Sequence, residues 1–508
     1  MQYAAPVPAA AVIVLRPPTE EAPAAGPSAA PEGPEVYLVR RGAAQRFLGD
    51  FSGFPGGCED ATDGAVPVVG AAPAAAAACA CAARELFEET GILLGTGAAL
   101  PPAPQLAAAR RALLAGELEF AALLRDLGLA VDGAALLPAG RWITPEYLPL
   151  RYDTHYFVAR LPAGATATVI PGELTSGEWV RPAAALAQWR RAEVLLPAPV
   201  LAALRVLAAD GADLARLAAA PAATAADEAV RRNELAPGLL LVPLTTPTLP
   251  PATQTNCYVV GARELVIVDP GAPDPAEQAV LDGLLARLVG EGARPCAVLL
   301  THDHPDHVGG AAALAARHRL PILAHAATAA RLAGRVPVSR ALADGEVLTL
   351  GGDPPRRLRA VLTAGHCPGH LAFFEEETRA LLAGDLVATL GFIIVDPEDG
   401  GDMAAYLESL RRARDLDARL LLPAHGLPTR SVRARLEATL AHRLEREARL
   451  LGALRPVARA EEELLPEVYA DTPPPMWPFA ARSLRAHLLK LEREGRVVRG
   501  GAGWRTAS

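Results

Sequence analysis

PCAVLLTHDHPDHVGG, residues Pro295–Gly310, is an apolar run that stops abruptly at His302, His304, Asp306 and His307. Three imidazoles and a carboxylate within six residues form a donor set for Zn²⁺ and related ions, and alternation on one tight loop lets the side chains converge. A merely polar loop of solvated histidines would need no partners elsewhere; here they recur. His366 follows LRAVLTAG, Asp385 follows RALLAG and His425 follows ARLLLPA, so each sits just past a short apolar run that reads as a buried strand. Strand ends that carry His or Asp bring distant residues onto one site. Two groups emerge: His302, His304 and His366 for one ion, and Asp306, His307 and His425 for another. Asp385 falls between them, because a carboxylate has two oxygens and can bridge where an imidazole cannot.

THDHPDH, TAGHCPGH, LLAGD and LLPAHG, in that order, resemble the metallo-β-lactamase superfamily over about Leu239 to Pro428. The opening TQTNCYVVGARELVIVDPG is similar too, with Asp269 at the place of that family's first, usually non-ligating, aspartate. The resemblance implies an αββα sandwich and two Zn²⁺ or other divalent ions that activate a hydroxide, with Asp306 in a catalytic role and His370 supporting the site without binding metal. Phosphodiester, thioester and lactam hydrolysis all use such centres. Cys367, a lone thiol in a tight loop, reads as packing and not as a nucleophile. His318 and His325 lie away from the motifs and read as surface or structural residues.

At 508 residues the chain should contain more than one domain, since single cores seldom exceed roughly 250–300 residues. It is 51% hydrophobic but only 5% aromatic, and much of the apolar content is alanine, so burial must come from Leu and Val. Basic residues are almost all Arg, with Lys490 the sole lysine. The net charge of −8 argues against a chain dominated by nucleic-acid binding, which leaves room for one basic module. Six cysteines show no disulfide framework and no paired zinc ribbon, which suggests a reducing compartment. There is no signal-like N-terminus and no uninterrupted apolar stretch of about 18 residues, so a cytoplasmic protein with no membrane partner is expected. The oligomeric state is left open.

In the N-terminal third, Ala10 to Leu15 and Glu35 to Val39 read as strands separated by a Pro/Ala/Gly-rich excursion. FSGFPGG, Phe51–Gly57, permits a tight turn, and Asp60 to Ala75 reads as an inserted loop. The informative segment is CAARELFEETGILLG, Cys81–Gly95. On a helix Glu85, Glu88 and Glu89 fall at i, i+3 and i+4 and share one face. Crowded carboxylates repel unless a cation sits among them, and oxygen-only donors favour Mg²⁺ or Mn²⁺; a solvated acidic face balanced by Arg84 is the alternative. Arg84, Glu85, Leu86, Glu88, Glu89, Gly91 and Ile92 match the box of the Nudix hydrolases residue by residue. Upstream the match departs: Gly70 stands at the box's glycine spacing but Ala76 occupies a glutamate position, with Glu59, Asp60 or Asp63 as substitutes. An insertion after PGG and the stretch WITPEYLPLRYDTHYFVARLP resemble the coenzyme A diphosphatase branch. The resemblance implies Glu85 and Glu89 in catalysis, Glu85, Glu88 and Glu89 as metal ligands, Arg84 in support, and a small nucleotide or coenzyme A as substrate.

At the C-terminus, Leu436 to Leu454, Glu461 to Tyr469 and a longer helix ending at Gly495 precede a short strand, Arg496 to Arg499. This order resembles the winged helix of the lactamase-beta-2-like branch, and Arg485, Lys490 and Arg493 are candidate nucleic-acid contacts, a solvated face being the alternative. The expected fold class is therefore α/β and α+β multidomain: a Nudix α/β/α sandwich at 1–220, a linker at 221–234, a metallo-β-lactamase αββα sandwich at 235–430 and a C-terminal winged helix at 431–508. The expected function is a bifunctional metal-dependent hydrolase, with an endoribonuclease-like dinuclear zinc site acting on single-stranded RNA beside a Nudix pyrophosphohydrolase. The alternative is a thioesterase of the hydroxyacylglutathione hydrolase type with a Nudix domain that only binds nucleotide.

Overall fold

The computed structural model describes residues 5–17, 33–45, 47–145, 148, 150–209, 233–501 and 503–507. The chain divides into two compact units, Met1–Ala236 and Pro237–Ser508. The linker expected at 221–234 lies, up to residue 232, outside the described residues.

In the first unit the central strand Val7–Arg16 pairs in parallel with Tyr152–Arg160 and antiparallel with Glu35–Arg41. Leu174–Val180 and Leu137–Ile143 complete the row at its two ends. Alternation explains the layers, because successive side chains of a strand point to opposite faces. Ala10, Val12 and Val14 join a core with the helix Ala76–Thr90, whereas Ile13 and Leu15 join another with the helices Pro182–Arg190 and Ala198–Ala208. The sheet is covered on both faces, which is an α/β/α sandwich. The stretch expected as an inserted loop is instead ordered. Asp60 and Asp63 form a capping box around the 3₁₀ turn Ala61–Ala65, and Val68–Val69 pairs with Leu129–Asp132.

The second unit opens with two sheets. Strands Leu239–Thr245, Gln254–Gly261, Glu264–Val268, Arg294–Leu299, Ile322–His325 and Val338–Leu342 follow one another across the first. Val347–Leu350, Arg356–Leu362, Leu371–Glu375, Ala380–Gly384 and Leu420–Pro423 form the second. The outer face of the first carries Pro275–Gly290 and Ala311–His318 on Leu240, Val259, Ile267 and Val298. That of the second carries Met403–Asp415 and Val432–Ala453 on Val361, Phe374 and Leu381. The alternate residues, Leu241, Val266 and Leu299 on one sheet and Leu358, Phe373 and Leu382 on the other, are buried as well. The sheets are joined by Tyr258 Oη, which donates to the Pro423 carbonyl at 2.8 Å. The arrangement is αββα. Beyond it, Glu461–Val468, Trp477–Arg493 and the hairpin Val497–Gly500/Gly503–Thr506 enclose a small core of Leu464, Leu484, Leu488, Val497 and Trp504, a winged helix.

Candidate metal centre and carboxylate helix

The strands of the second unit deliver their ends to one place. Arg294–Leu299 leads into His302, Arg356–Leu362 into His366, Ala380–Gly384 into Asp385 and Leu420–Pro423 into His425. Pro305–Val308 is a single helical turn rather than the tight loop expected, which sets Asp306 and His307 on consecutive helical positions. Two groups of donor atoms result: His302, His304, His366 and Asp385, and beside them Asp306, His307 and His425, with every atom of a group within 4.8 Å of the others. His302 Nε2 and His366 Nε2 lie 3.0 and 2.9 Å from His304 Nδ1. Asp385 faces both groups, with Oδ2 3.6 Å from His366 Nε2 and Oδ1 3.5 and 3.3 Å from the Nε2 atoms of His307 and His425.

The second nitrogen of each ring is held from outside, which fixes ring orientation. His302 Nδ1 meets Thr301 Oγ1 at 2.9 Å, His307 Nδ1 meets Asp269 at 2.8 Å, and His366 and His425 donate from Nδ1 to the carbonyls of Ile394 and Gln254. Asp269 also accepts from the Thr301 N–H and hydroxyl at 2.8 and 2.6 Å. His304 is turned the other way, presenting Nδ1 inward while Nε2 meets Asp399 at 2.7 Å. His370 stands in neither group. Its Nδ1 meets Thr363 Oγ1 at 2.8 Å and its Nε2 accepts the Asp385 N–H at 2.9 Å. Gly384 has to be glycine, since a Cβ there would lie 2.6 Å from His370 Nε2.

Burial drives His302 well below the ordinary imidazole value, takes His366 to about 4 and His370 to about 3, so these rings are neutral donors at pH 7. For His307, burial opposes protonation but the carboxylates of Asp306, Asp385 and Asp269 outweigh it and raise its pKa well above the usual range. His307 Nε2 and Asp385 Oδ1 are buried without hydrogen-bond partners. Orphaned donors facing each other amid excess negative charge fit divalent cations. Cys367 is fully buried and burial raises its thiol far above the ordinary value, so it offers no thiolate.

In the first unit, Glu85, Glu88 and Glu89 all lie on Ala76–Thr90. Gly57 abuts this helix so closely that a Cβ would sit 2.5 Å from the Glu85 carboxylate, and the Gly56 N–H donates to Glu89 at 2.9 Å. Burial pushes Glu85 up to about 7 against the pull of Arg84, and Glu89 up to about 8 against that of Arg41. Among the described residues these three carboxylates do not place oxygens within 4.8 Å of one another as the histidine groups do. Their oxygen-only donor set still suits Mg²⁺ or Mn²⁺. Arg84 is bound by Asp63 at 2.7 and 3.0 Å, Glu85 at 2.8 Å and Glu88 at 3.2 Å. Of Glu59, Asp60 and Asp63, it is therefore the buried Asp63 that meets the box arginine.

The three candidate nucleic-acid contacts are engaged within their own unit. Arg485 pairs with Glu398 and Glu461, and Arg493 with Asp402. Lys490 is buried against Glu447, 2.9 Å away, and Glu494.

Three family models match the chain: "Metallo-beta-lactamase superfamily" over residues 250–425, "Beta-lactamase associated winged helix domain" over 461–504 and "NUDT19 Nudix domain" over 66–207. The chain is a Nudix–metallo-β-lactamase fusion with a winged helix. The lactamase-like protein adaB of Aspergillus niger is 32% identical over 203 residues, 39% of this chain and 58% of that protein, so the match spans less than two thirds of that relative. The atrochrysone carboxyl ACP thioesterase of Aspergillus fumigatus is 28% identical over 258 residues, 48% of this chain and 77% of that protein. Among solved structures, a Nudix hydrolase from Alicyclobacillus acidocaldarius is 26% identical, covering 43% of this chain and 98% of its own with a TM-score of 0.35. Sequence reading of the metallo-β-lactamase domain missed Thr301, Asp399 and the carbonyls of Gln254 and Ile394. Carbonyls leave no sequence signal, and Asp399 lies 95 positions from its histidine. No described helix is long and apolar enough to cross a membrane.

Proposed function

We propose that the metallo-β-lactamase domain is a dinuclear zinc hydrolase of thioesters, and that the Nudix domain hydrolyses the pyrophosphate of nucleoside diphosphate derivatives such as coenzyme A. The observation that carries the first assignment is Asp385, whose two oxygens face the two donor groups. His302, His304 and His366 would hold one ion, Asp306, His307 and His425 the other, and Asp385 both; nitrogen-rich donors of this kind suit Zn²⁺. Ions held there supply Lewis acidity and lower the pKa of a coordinated water to about 7. Asp306 would hold the second ion through Oδ2, which accepts from Thr255 at 3.4 Å and lies 3.5 Å from His425 Nε2, and its other oxygen would orient the attacking water and receive its proton. Glu85, Glu88 and Glu89 would hold Mg²⁺ or Mn²⁺, with Arg84 fixing the first two.

Thioesters are favoured over single-stranded RNA by the surroundings of the centre. Six large hydrophobic side chains are exposed among the described residues of the second unit, and three of them, Leu249, Leu390 and Phe392, stand on segments tied to the donor groups. The Leu390 N–H donates to the His425 carbonyl, and the segment ends at Ile394, whose carbonyl takes His366. Leu249 lies in the hairpin loop closed by the Thr246–Thr255 contact, beside Asp306. An apolar rim suits an acyl chain. The endoribonuclease-like reading draws no support from Arg485, Lys490 and Arg493, whose charges are already matched.

With the zinc-replete chain, acyl-coenzyme A should be hydrolysed and single-stranded RNA left intact, and both activity and bound zinc should fall in His302→Ala and Asp385→Ala. RNA cleavage without thioester turnover would overturn the substrate class; undiminished turnover in metal-free protein would overturn the centre. For the Nudix domain, coenzyme A and ADP-ribose should be split with Mg²⁺ by the wild type and not by Glu89→Gln. Equal turnover by both removes that assignment, and binding without product leaves a nucleotide-binding module.

A further inference from the structure

The helix Trp477–Arg493 of the winged helix grips one segment of the metallo-β-lactamase domain at four points. Ser483 Oγ accepts the Val395 N–H at 3.3 Å, Arg482 pairs with Asp396 at 3.2 Å, Arg485 pairs with Glu398, and Arg493 pairs with Asp402 at 2.6 Å. The same short segment reaches the first donor group twice. Asp399 takes His304 Nε2 at 2.7 Å and the Ile394 carbonyl takes His366 Nδ1 at 2.7 Å. Asp402 closes the connection on the other side, since its N–H donates to the carbonyl of Gly365, the residue before His366. Arg331 braces Asp399 from beneath, pairing with it and, through Nε at 2.7 Å, with Asp303 of the HDH motif.

We propose that the winged helix is a positioning element of the metal centre: Arg482, Arg485 and Arg493 hold segment 394–402 so that Asp399 and Ile394 fix the His304 and His366 rings for the first ion. This rests on reading the histidine cluster as a metal centre. The carboxylates Asp396, Glu398 and Asp402 are the arginines' partners, which gives these basic side chains a task other than contact with nucleic acid. His304, which turns Nδ1 inward where His302 and His366 present Nε2, has its outer nitrogen held by Asp399. Loss of a partner that orients a ligand costs about 10- to 100-fold in metal affinity. Exposed ion pairs are individually weak, so reversing one arginine should shift affinity only about threefold and reversing two about tenfold.

The test uses the full chain, with zinc affinity measured by chelator competition and the cobalt(II) absorption spectrum reporting ligand geometry. Arg485→Glu and Glu398→Arg should each weaken the first site, and the exchange variant Arg485→Glu/Glu398→Arg/Glu461→Gln, which restores the pair with its charges exchanged and leaves no second carboxylate against it, should recover it. Arg485→Glu/Arg493→Glu should weaken it further, and Asp399→Asn most, while the melting of the winged helix stays near wild type for the exposed pair. Wild-type affinity in both single variants, or a well-folded exchange variant that fails to recover, overturns the proposal. An effect of Arg485→Glu with none from Asp399→Asn overturns the route through His304. A wild type that holds no metal removes the metal reading itself.

Discussion

His370 illustrates how a buried ring serves a site it does not enter. Held near a pKa of about 3 by burial and the neighbouring His366, it is a neutral acceptor for the Asp385 N–H. Replacing it with alanine leaves that N–H unpaired in a buried place and frees Asp385 to rotate, so His370→Ala should lower zinc affinity about tenfold by chelator competition. Unchanged affinity would make the ring mere packing. A second buried group, Glu447, contributes to stability in acid. Burial works to raise its pKa, but hydrogen bonds from His487 and Lys490 outweigh this and hold it at about 2, below the ordinary 4.5. A depressed carboxyl stabilises the fold above its unfolded pKa, and that contribution is lost as pH falls from 4.5 toward about 2. Glu447→Gln should therefore cost about 3 kcal/mol at pH 7 and flatten the acid limb. Hydrogen exchange in Trp477–Arg493 across that pH range measures it, and an acid limb as steep as wild type would refute it. The donors themselves were legible because seven His and Asp residues follow apolar runs, whereas Asp399 in DPEDG carries no such mark.

At the scale of elements, periodicity located what packs alone and missed what is held by side chains. The helices read at Leu436–Leu454 and Glu461–Tyr469 appear as Val432–Ala453 and Glu461–Val468, since each buries one apolar side against a core. The stretch after PGG, rich in Ala, Pro and Gly, has no such spacing. Its order comes from a charge: Asp63 is buried and binds Arg84 of the carboxylate helix through both oxygens. Asp63→Asn would leave Arg84 partly uncompensated, and breaking a buried pair in this way is costly. The variant should melt the Nudix domain at lower temperature, a loss of about 3 kcal/mol, and should reduce Mg²⁺-dependent turnover of coenzyme A because Glu85 and Glu88 share the same guanidinium. A variant as stable and active as wild type would mean that the turn owes its order to its capping box alone.

At the scale of the whole chain, two catalytic proposals stand on two separate sets of cores. Strand Val7–Arg16 and its helices enclose the Nudix cores, and the αββα layers enclose the others, and among the described residues the donors of each site come from its own unit. Each chemistry is thus fixed by donors on its own strands and helices. In the full chain, Glu89→Gln should abolish coenzyme A cleavage while acyl-thioester hydrolysis keeps its wild-type kcat/KM, and Asp385→Ala should do the reverse. The comparison needs both assays on each purified variant with Zn²⁺ and Mg²⁺ present. A loss of both activities in either variant, with the chain folded, would mean that the sites act as one and that the two units do not carry independent functions.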